Sequence, residues 1–118
     1  MNSIEIGSIG EDYAEQILHD KGYIILERNY KCKAGEIDII AKDGDTFVFV
    51  EVKTRQSTTF GNPSEAVNYF KQQRILKSAF WYLRFQEHDM RFDVFEILYK
   101  PLEDDIEILK YNHIADAF

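Results

Sequence analysis

Three charged residues sit where the sequence is otherwise most apolar. Asp38 lies in GEIDIIA, and Glu51 and Lys53 lie in VFVEVKTR, all within the stretch from Ala34 to Arg55. A charge inside an apolar strand costs on the order of several kcal/mol unless it is paired or holds a cation. Two carboxylates and an ammonium have a joint use. Oxygen ligands such as Asp38, Glu51 and the backbone carbonyl of Val52 suit Mg²⁺ or Mn²⁺ rather than zinc. A divalent ion held there lowers the pKa of a bound water and offsets charge building on a phosphodiester oxygen. Lys53 would position or help deprotonate that water, or stabilise the pentavalent phosphate as a point charge.

This chemistry needs the three side chains on one spot, and the spacing bears on that. Asp43-Gly44 is a turn signal between two apolar runs, so a β-hairpin is expected. Glu51 and Lys53 share a strand face with Phe47 and Phe49, because side chains alternate along a strand. A two-residue turn at Gly44 and Asp45 sets Asp38 opposite Glu51. A turn one residue earlier makes the two acids diagonal neighbours, and a three-residue loop separates them unless a bulge restores the phase. Val48, Val50 and Val52 occupy the other face of the same strand. Apolar residues on both faces mark a central strand covered on two sides, and so an α/β layer architecture.

A fourth charged residue belongs to an expected first helix, about Ser8 to Lys21 and stopped by Gly22. Its apolar positions are Ala14, Ile17 and Leu18. Glu11 falls on that stripe and points toward the buried seam, where it would bind the cation through water or complete a second site. The bland alternative is a stripe-edge glutamate reaching solvent. Gly10 beside it permits close approach of another backbone.

The remaining elements follow the same patterning. Tyr23–Asn29 reads as a first strand, followed by a basic connector, Tyr30 to Ala34. Gln56 to Gly61 reads as a loop, and Asn62-Pro63-Ser64-Glu65 as a helix start, with Pro at the first helical position. A helical pattern then runs to about Phe85, with a break near Asn68. Its apolar stripe is Ile75, Leu76, Ala79, Phe80 and Leu83. Lys71, Arg74 and Lys77 lie three apart on a neighbouring ridge that would hold nucleic-acid phosphates in register, or would be an ordinary solvated face. Arg91–Tyr99 reads as a fourth strand and Asp105–Tyr111 as an edge strand. Asp93 interrupts the fourth strand, where a structural ion pair explains it as well as chemistry does. Arg55 would contact a phosphate or support Glu51.

Composition sets the outer bounds. The 118 residues are expected to form one domain, and 45% hydrophobic content with nine Phe and seven Tyr suits a packed core. No apolar run approaches the roughly 20 residues of a membrane helix. The N-terminus, MNSIEIGSIGEDY, lacks signal-peptide character, and Cys32 is the lone cysteine, so a cytoplasmic location is expected. Cys32 has no evident activating base. His19, His88 and His113 lack metal-ligand spacing and are assigned no role. No Gly-rich phosphate-cradling loop is present, which argues against nucleotide hydrolysis. The net charge of −7 argues against a general nucleic-acid coat protein. It is uneven, however: residues 21–84 hold eleven bases and seven acids, so the basic excess falls around the candidate site.

The order is Glu on a first helix, Asp on the second strand and Glu-x-Lys on the third. GEIDIIA followed by VFVEVKTR resembles the D…(D/E)xK signature of the restriction-endonuclease-like superfamily. With GSIGEDYAE ahead, RNYKCKAGEID between and FGNPSEAV…KQQRI…A…YL…RFDV behind, nearly the whole chain resembles the bacterial YraN-like family of uncharacterised proteins. That family is similar to archaeal Holliday junction resolvases. The resemblance implies a restriction-endonuclease-like core, a central mixed β-sheet of four to five strands flanked by helices. It places Glu11, Asp38, Glu51 and Lys53 at the positions of the resolvase catalytic set, and implies a homodimer matched to branched DNA.

The expected function is therefore metal-dependent hydrolysis of DNA phosphodiester bonds. Two alternatives stay open. One is a nucleic-acid-binding module of the same fold that does not cut, and the other is a partner-protein-binding domain using Phe80-Trp81-Tyr82. For Asp38, Glu51 and Lys53 a buried ion pair is the plainer reading, but it leaves one acid unmatched.

Overall fold

The computed structural model describes residues 1–57 and 67–118. Helix α1 spans Ser3–Asp20 and starts ahead of the expected Ser8 because a capping box is written at Asn2. The Asn2 side chain accepts the Glu5 N–H at 2.8 Å, and the Glu5 carboxylate accepts the Asn2 N–H at 3.2 Å. The helix ends as expected, with Lys21 as cap and Gly22 at φ +92°. Four of the five strands of the sheet are β1 Ile24–Cys32, β2 Gly35–Asp43, β3 Thr46–Gln56 and β4 Met90–Pro101. Helix α2, Tyr69–Tyr82, separates β3 from β4, and β5 is Ile106–Ile114.

Asn68 caps α2, its side chain accepting the Lys71 N–H at 3.0 Å. The break expected near Asn68 is thus the start of the described helix. The helix start expected at Asn62-Pro63-Ser64-Glu65, and most of the expected Gln56–Gly61 loop, lie outside the described residues. The far end comes short of Phe85, because Arg84 and Phe85 take left-handed φ of 55° and 58°. Strand β1 continues through the expected connector to Cys32, paired with Gly35 across a two-residue turn.

The strands lie in the order β1-β2-β3-β4-β5. Only β3 and β4 run parallel, joined by the crossover that contains α2; the other neighbours are antiparallel. The sheet is therefore mixed, with β3 at its centre. Ala14 and Leu18 of α1 pack on Ile39, Val48, Val50, Phe95 and Ile97 of one face. Ile75 and Ala79 of α2, with its C-cap Leu83, pack on Ile37, Ile40, Phe49, Phe92 and Val94 of the other. Each such buried aliphatic or aromatic side chain stabilises the fold by roughly 2 kcal/mol.

Two local features open the sheet where the charged residues lie. The β2–β3 ladder runs from Asp43↔Thr46 to Ile39↔Val50 and stops, while β3 continues beside β4 to Gln56. Strict alternation would put Ile37 and Ile39 on one face, yet they pack in opposite cores. The change falls at Asp38, and Asn29 on β1, flanked by the pairs Arg28↔Ile39 and Tyr30↔Ile37, has φ 53°. Beyond Ile39 and Val50 the two strands part, leaving a fork.

Candidate active site

The turn between β2 and β3 has two residues, Gly44 and Asp45, since Asp43 pairs with Thr46. Of the registers open to the sequence, this is the one that sets Asp38 against Glu51. Asp38 occupies the crotch of the fork, where its Oδ2 accepts the Val52 N–H at 2.8 Å. A side chain thereby satisfies a donor that the departing β2 backbone no longer reaches. Burial, then the neighbouring Glu51 carboxylate, push the Asp38 carboxyl up to about 7, against the opposing Val52 hydrogen bond. Burial and the second acid thus disfavour the ionised form of Asp38.

Glu51 is the more enclosed of the pair, its side chain 7% exposed. Two ammonium groups meet it. Lys53 Nζ lies 3.5 Å from Glu51 Oε1, and Lys71 Nζ from α2 contacts the same oxygen more closely. Burial and then the adjacent Lys71 lower the Lys53 pKa. At Lys71 burial works in the same direction, but the hydrogen bonds to Glu51 and Lys53 and the charges of Glu51 and Asp38 together outweigh it and its pKa is raised. Of the two lysines, Lys71 is the committed cation and Lys53 the readier proton carrier.

Lys71 was expected on an outward ridge with Arg74 and Lys77. The structure divides that ridge. Lys71 enters the fork, Arg74 is exposed but lines the same cleft as Asp38 and Glu51, and Lys77 is exposed and not part of that lining. The sequence signal that could have found Lys71 was its place in the first turn of α2, once that turn was known to begin at Asn68. Arg55 stands further along the same face of β3 as Glu51 and Lys53. Its charge reaches Glu96 of β4, whose carboxyl is raised by burial while the Arg55 charge opposes the shift.

Glu11 approaches from α1. Its Oε1 accepts from Arg28 of β1 at 3.3 Å, and Arg28 also bonds Asp12 at 3.1 Å. Glu11 lines a neighbouring cleft with Val52, Lys53 and Thr54, and its charge adds to the upward shift of Asp38. Among the described residues no three Asp, Glu, His or Cys side chains converge closely enough to form a metal cage. Direct carboxylate ligation would thus fall to Asp38 and Glu51, with Glu11 one step removed. Gly10 makes its close approach to the Thr54 side chain rather than to backbone: a Cβ there would meet Thr54 Oγ1 at 1.9 Å. Cys32 lines the main cleft as well. Burial opposes its ionisation, but the Ser78 hydroxyl and backbone N–H groups of Ala34 and Gly35 lower its pKa.

The chemistry of the donor set fits a hard divalent cation. Its donors are oxygens, one acid is held up to about 7 by burial and its acidic neighbour, and a lysine ammonium already leans on the other.

Among the described residues a mixed five-stranded sheet carries one helix on each face, an α/β architecture consistent with a restriction-endonuclease-like core. The uncharacterised protein family UPF0102 matches residues 10–97. The UPF0102 protein of Caldanaerobacter subterraneus subsp. tengcongensis is 49% identical over 121 residues, covering 100% of this chain and 98% of the relative. That of Dictyoglomus turgidum is 47% identical over 123 residues, covering both chains completely. A Clostridium kluyveri relative is 47% identical over 97% of this chain and 93% of its own. The chain belongs to UPF0102, the YraN-like family that its motifs resemble. No described helix is long and apolar enough to cross a membrane.

Proposed function

We propose that this protein is a metal-dependent phosphodiesterase acting on DNA, with the fork between β2 and β3 as its active site. One observation carries the reading: Asp38 and Glu51 meet in a crevice with two lysines, and Asp38 is pushed up to about 7 by burial and its acidic neighbour. A structural ion pair would match one acid to one base and leave no acid so raised. Asp38, Glu51 and the Val52 carbonyl are the residues that would hold Mg²⁺ or Mn²⁺. When bound, the ion supplies Lewis-acid stabilisation of charge on the phosphodiester.

The chain's own groups account for the rest. Val52 N–H fixes the Asp38 carboxylate at 2.8 Å, so its orientation does not depend on substrate. Lys53, with its lowered pKa, takes or returns a proton at the attacking water more readily than an ordinary lysine. Arg74 and Lys31, which line the cleft mouth, offer phosphate contacts. Glu11 orients solvent from the α1 side while Arg28 holds it in place.

The test is cleavage of a labelled four-way junction, flap and linear duplex with Mg²⁺ or Mn²⁺. Cleavage is expected to fall by at least about a hundredfold in Asp38→Asn and in Lys53→Ala, with folding intact. Binding without cleavage, weakened by salt and by Arg74→Ala, would instead identify a non-cutting nucleic-acid module.

A further inference from the structure

Lys71 is where a second cation would have to go. It comes from the first turn of α2, and that turn is pinned twice. The Asn68 side chain accepts the Lys71 N–H at 3.0 Å, and Gln72 donates to the Val67 carbonyl at 3.0 Å. Ile75 and Ala79, further along the helix, are buried against Ile37 and Ile40 of β2. The helix therefore delivers Lys71 to a fixed point above Glu51, in closer contact with Oε1 than Lys53 at 3.5 Å. Glu51 has only a 7% exposed side chain, so a cation there cannot be traded cheaply for water. Yet Lys71 is itself 30% exposed, with a flexible stem and open cleft beside it. It can leave without unfolding the turn that carries it.

We propose that Lys71 is an internal counter-ion that competes with the divalent cation for Glu51. This inference rests on the proposed metal-dependent reading. With no metal, the Lys71 ammonium neutralises the enclosed carboxylate and holds the fork together. Binding of the ion at Asp38 and Glu51 displaces Lys71 into the cleft mouth, toward Lys31 and Arg74. There its charge joins two others, in position to meet the phosphate backbone. The same lysine thus opposes metal loading in the absence of substrate, and substrate phosphate relieves that opposition by giving the ammonium another partner.

The experiment is a Mn²⁺ titration followed by loss of the free-ion electron paramagnetic resonance signal, with no nucleic acid present. Wild type is compared with Lys71→Met and Lys71→Arg, and folding is checked by circular dichroism and a urea midpoint. Lys71→Met removes the competing charge and is expected to tighten Mn²⁺ binding about tenfold or more. Lys71→Arg keeps the charge and is expected to stay within about threefold of wild type. Should Lys71→Met fail to fold, Lys71→Gln, which keeps a donor to Glu51 without the charge, makes the same comparison. Equal or weaker Mn²⁺ binding in the uncharged variant would overturn the competition while leaving the metal site standing. Absence of Mn²⁺ binding in wild type and every variant would overturn the metal-dependent reading and the competition together.

Discussion

Two aspartates interrupt the strands of this sheet, and their surroundings are opposite. Asp93 of β4 is completely buried and is met by four donors. Its Oδ1 accepts from Arg91 Nε at 2.9 Å and from the Asp116 N–H at 3.0 Å. Its Oδ2 accepts from His113 Nε2 at 2.7 Å and from Arg91 Nη2 at 3.1 Å. Burial alone would raise its pKa, but the hydrogen bonds from His113, Arg91 and Asp116 overcome that and lower it. Asp38 is less buried, yet burial and then the neighbouring Glu51 carboxylate raise its pKa, because a single backbone donor opposes them. Depth of burial does not decide the sign; the count of donors against the nearest like charge does. Asp93 is a finished structural joint, whereas Asp38 is left with electrostatic work undone, as expected where something else is to bind.

Removing each carboxylate gives the largest contrast. Asp93→Asn leaves Arg91 and His113 aimed at a neutral amide in a dry pocket. It is expected to cost about 3–5 kcal/mol, read as a large fall in the urea midpoint. Asp38→Asn keeps an oxygen for the Val52 N–H and removes the repulsion with Glu51. It is expected to stabilise the metal-free protein at pH 8 by about 1 kcal/mol while abolishing cleavage. Comparable losses in the two variants would end the distinction between joint and site.

The pH dependence separates the two with a smaller signal. Asp38 binds its proton more tightly folded, at about 7, than unfolded, near the usual value of about 4. Its contribution is therefore complete below about pH 4 and is lost as pH rises toward 7, by at most about 1.4 kcal/mol per pH unit. Asp93 binds its proton less tightly folded than unfolded. Its contribution is present above about pH 4 and is lost as pH falls through its folded pKa. In EDTA, thermal stability should thus peak on the acid side of neutrality, and Asp38→Asn should flatten only the alkaline limb. Mn²⁺ at a hundred times its Kd should add about 2.7 kcal/mol at pH 8 in wild type and little in Asp38→Asn. An alkaline limb unchanged by Asp38→Asn would assign that decline to other groups.

The hairpin, the central strand and the meeting of Asp38 with Glu51 were legible in the sequence, because period-two patterning and an Asp-Gly turn fix register locally. Both helix starts were harder. Asn2 and Asn68 cap through side chains whose partners lie three residues on, and the glycines Gly7 and Gly10 weaken the helical pattern near the start of α1. The tail from Asn112 carries no periodic pattern, and His113 has no metal-ligand spacing. Yet His113 bonds Asp93, the Ala117 N–H donates to the Phe92 carbonyl at 2.7 Å, and Phe118 stacks on Phe92. Those contacts span the sheet, and no local spacing encodes them. Lys71 was visible as a charge but not as a partner of Glu51, since that depends on how α2 crosses β2. Of Phe80-Trp81-Tyr82, Tyr82 packs against Tyr30, Phe47 and Phe49, while Trp81 stays 43% exposed.

The finest test reaches the edge of the Asp93 joint. Lys21 Nζ lies 2.9 Å from His113 Nδ1. An ammonium can only donate, so Nδ1 accepts and the ring proton sits on Nε2, facing Asp93. Long-range proton–nitrogen spectra should report the Nε2–H form of His113 in wild type. Lys21→Met removes an exposed donor and should cost about 1 kcal/mol or less, without changing that tautomer, because Asp93 alone still demands the proton on Nε2. A switch to the Nδ1–H form in the variant would make Lys21 a member of the joint rather than its rim. The count of groups that hold Asp93 charged would then extend from β4 and β5 to the end of α1.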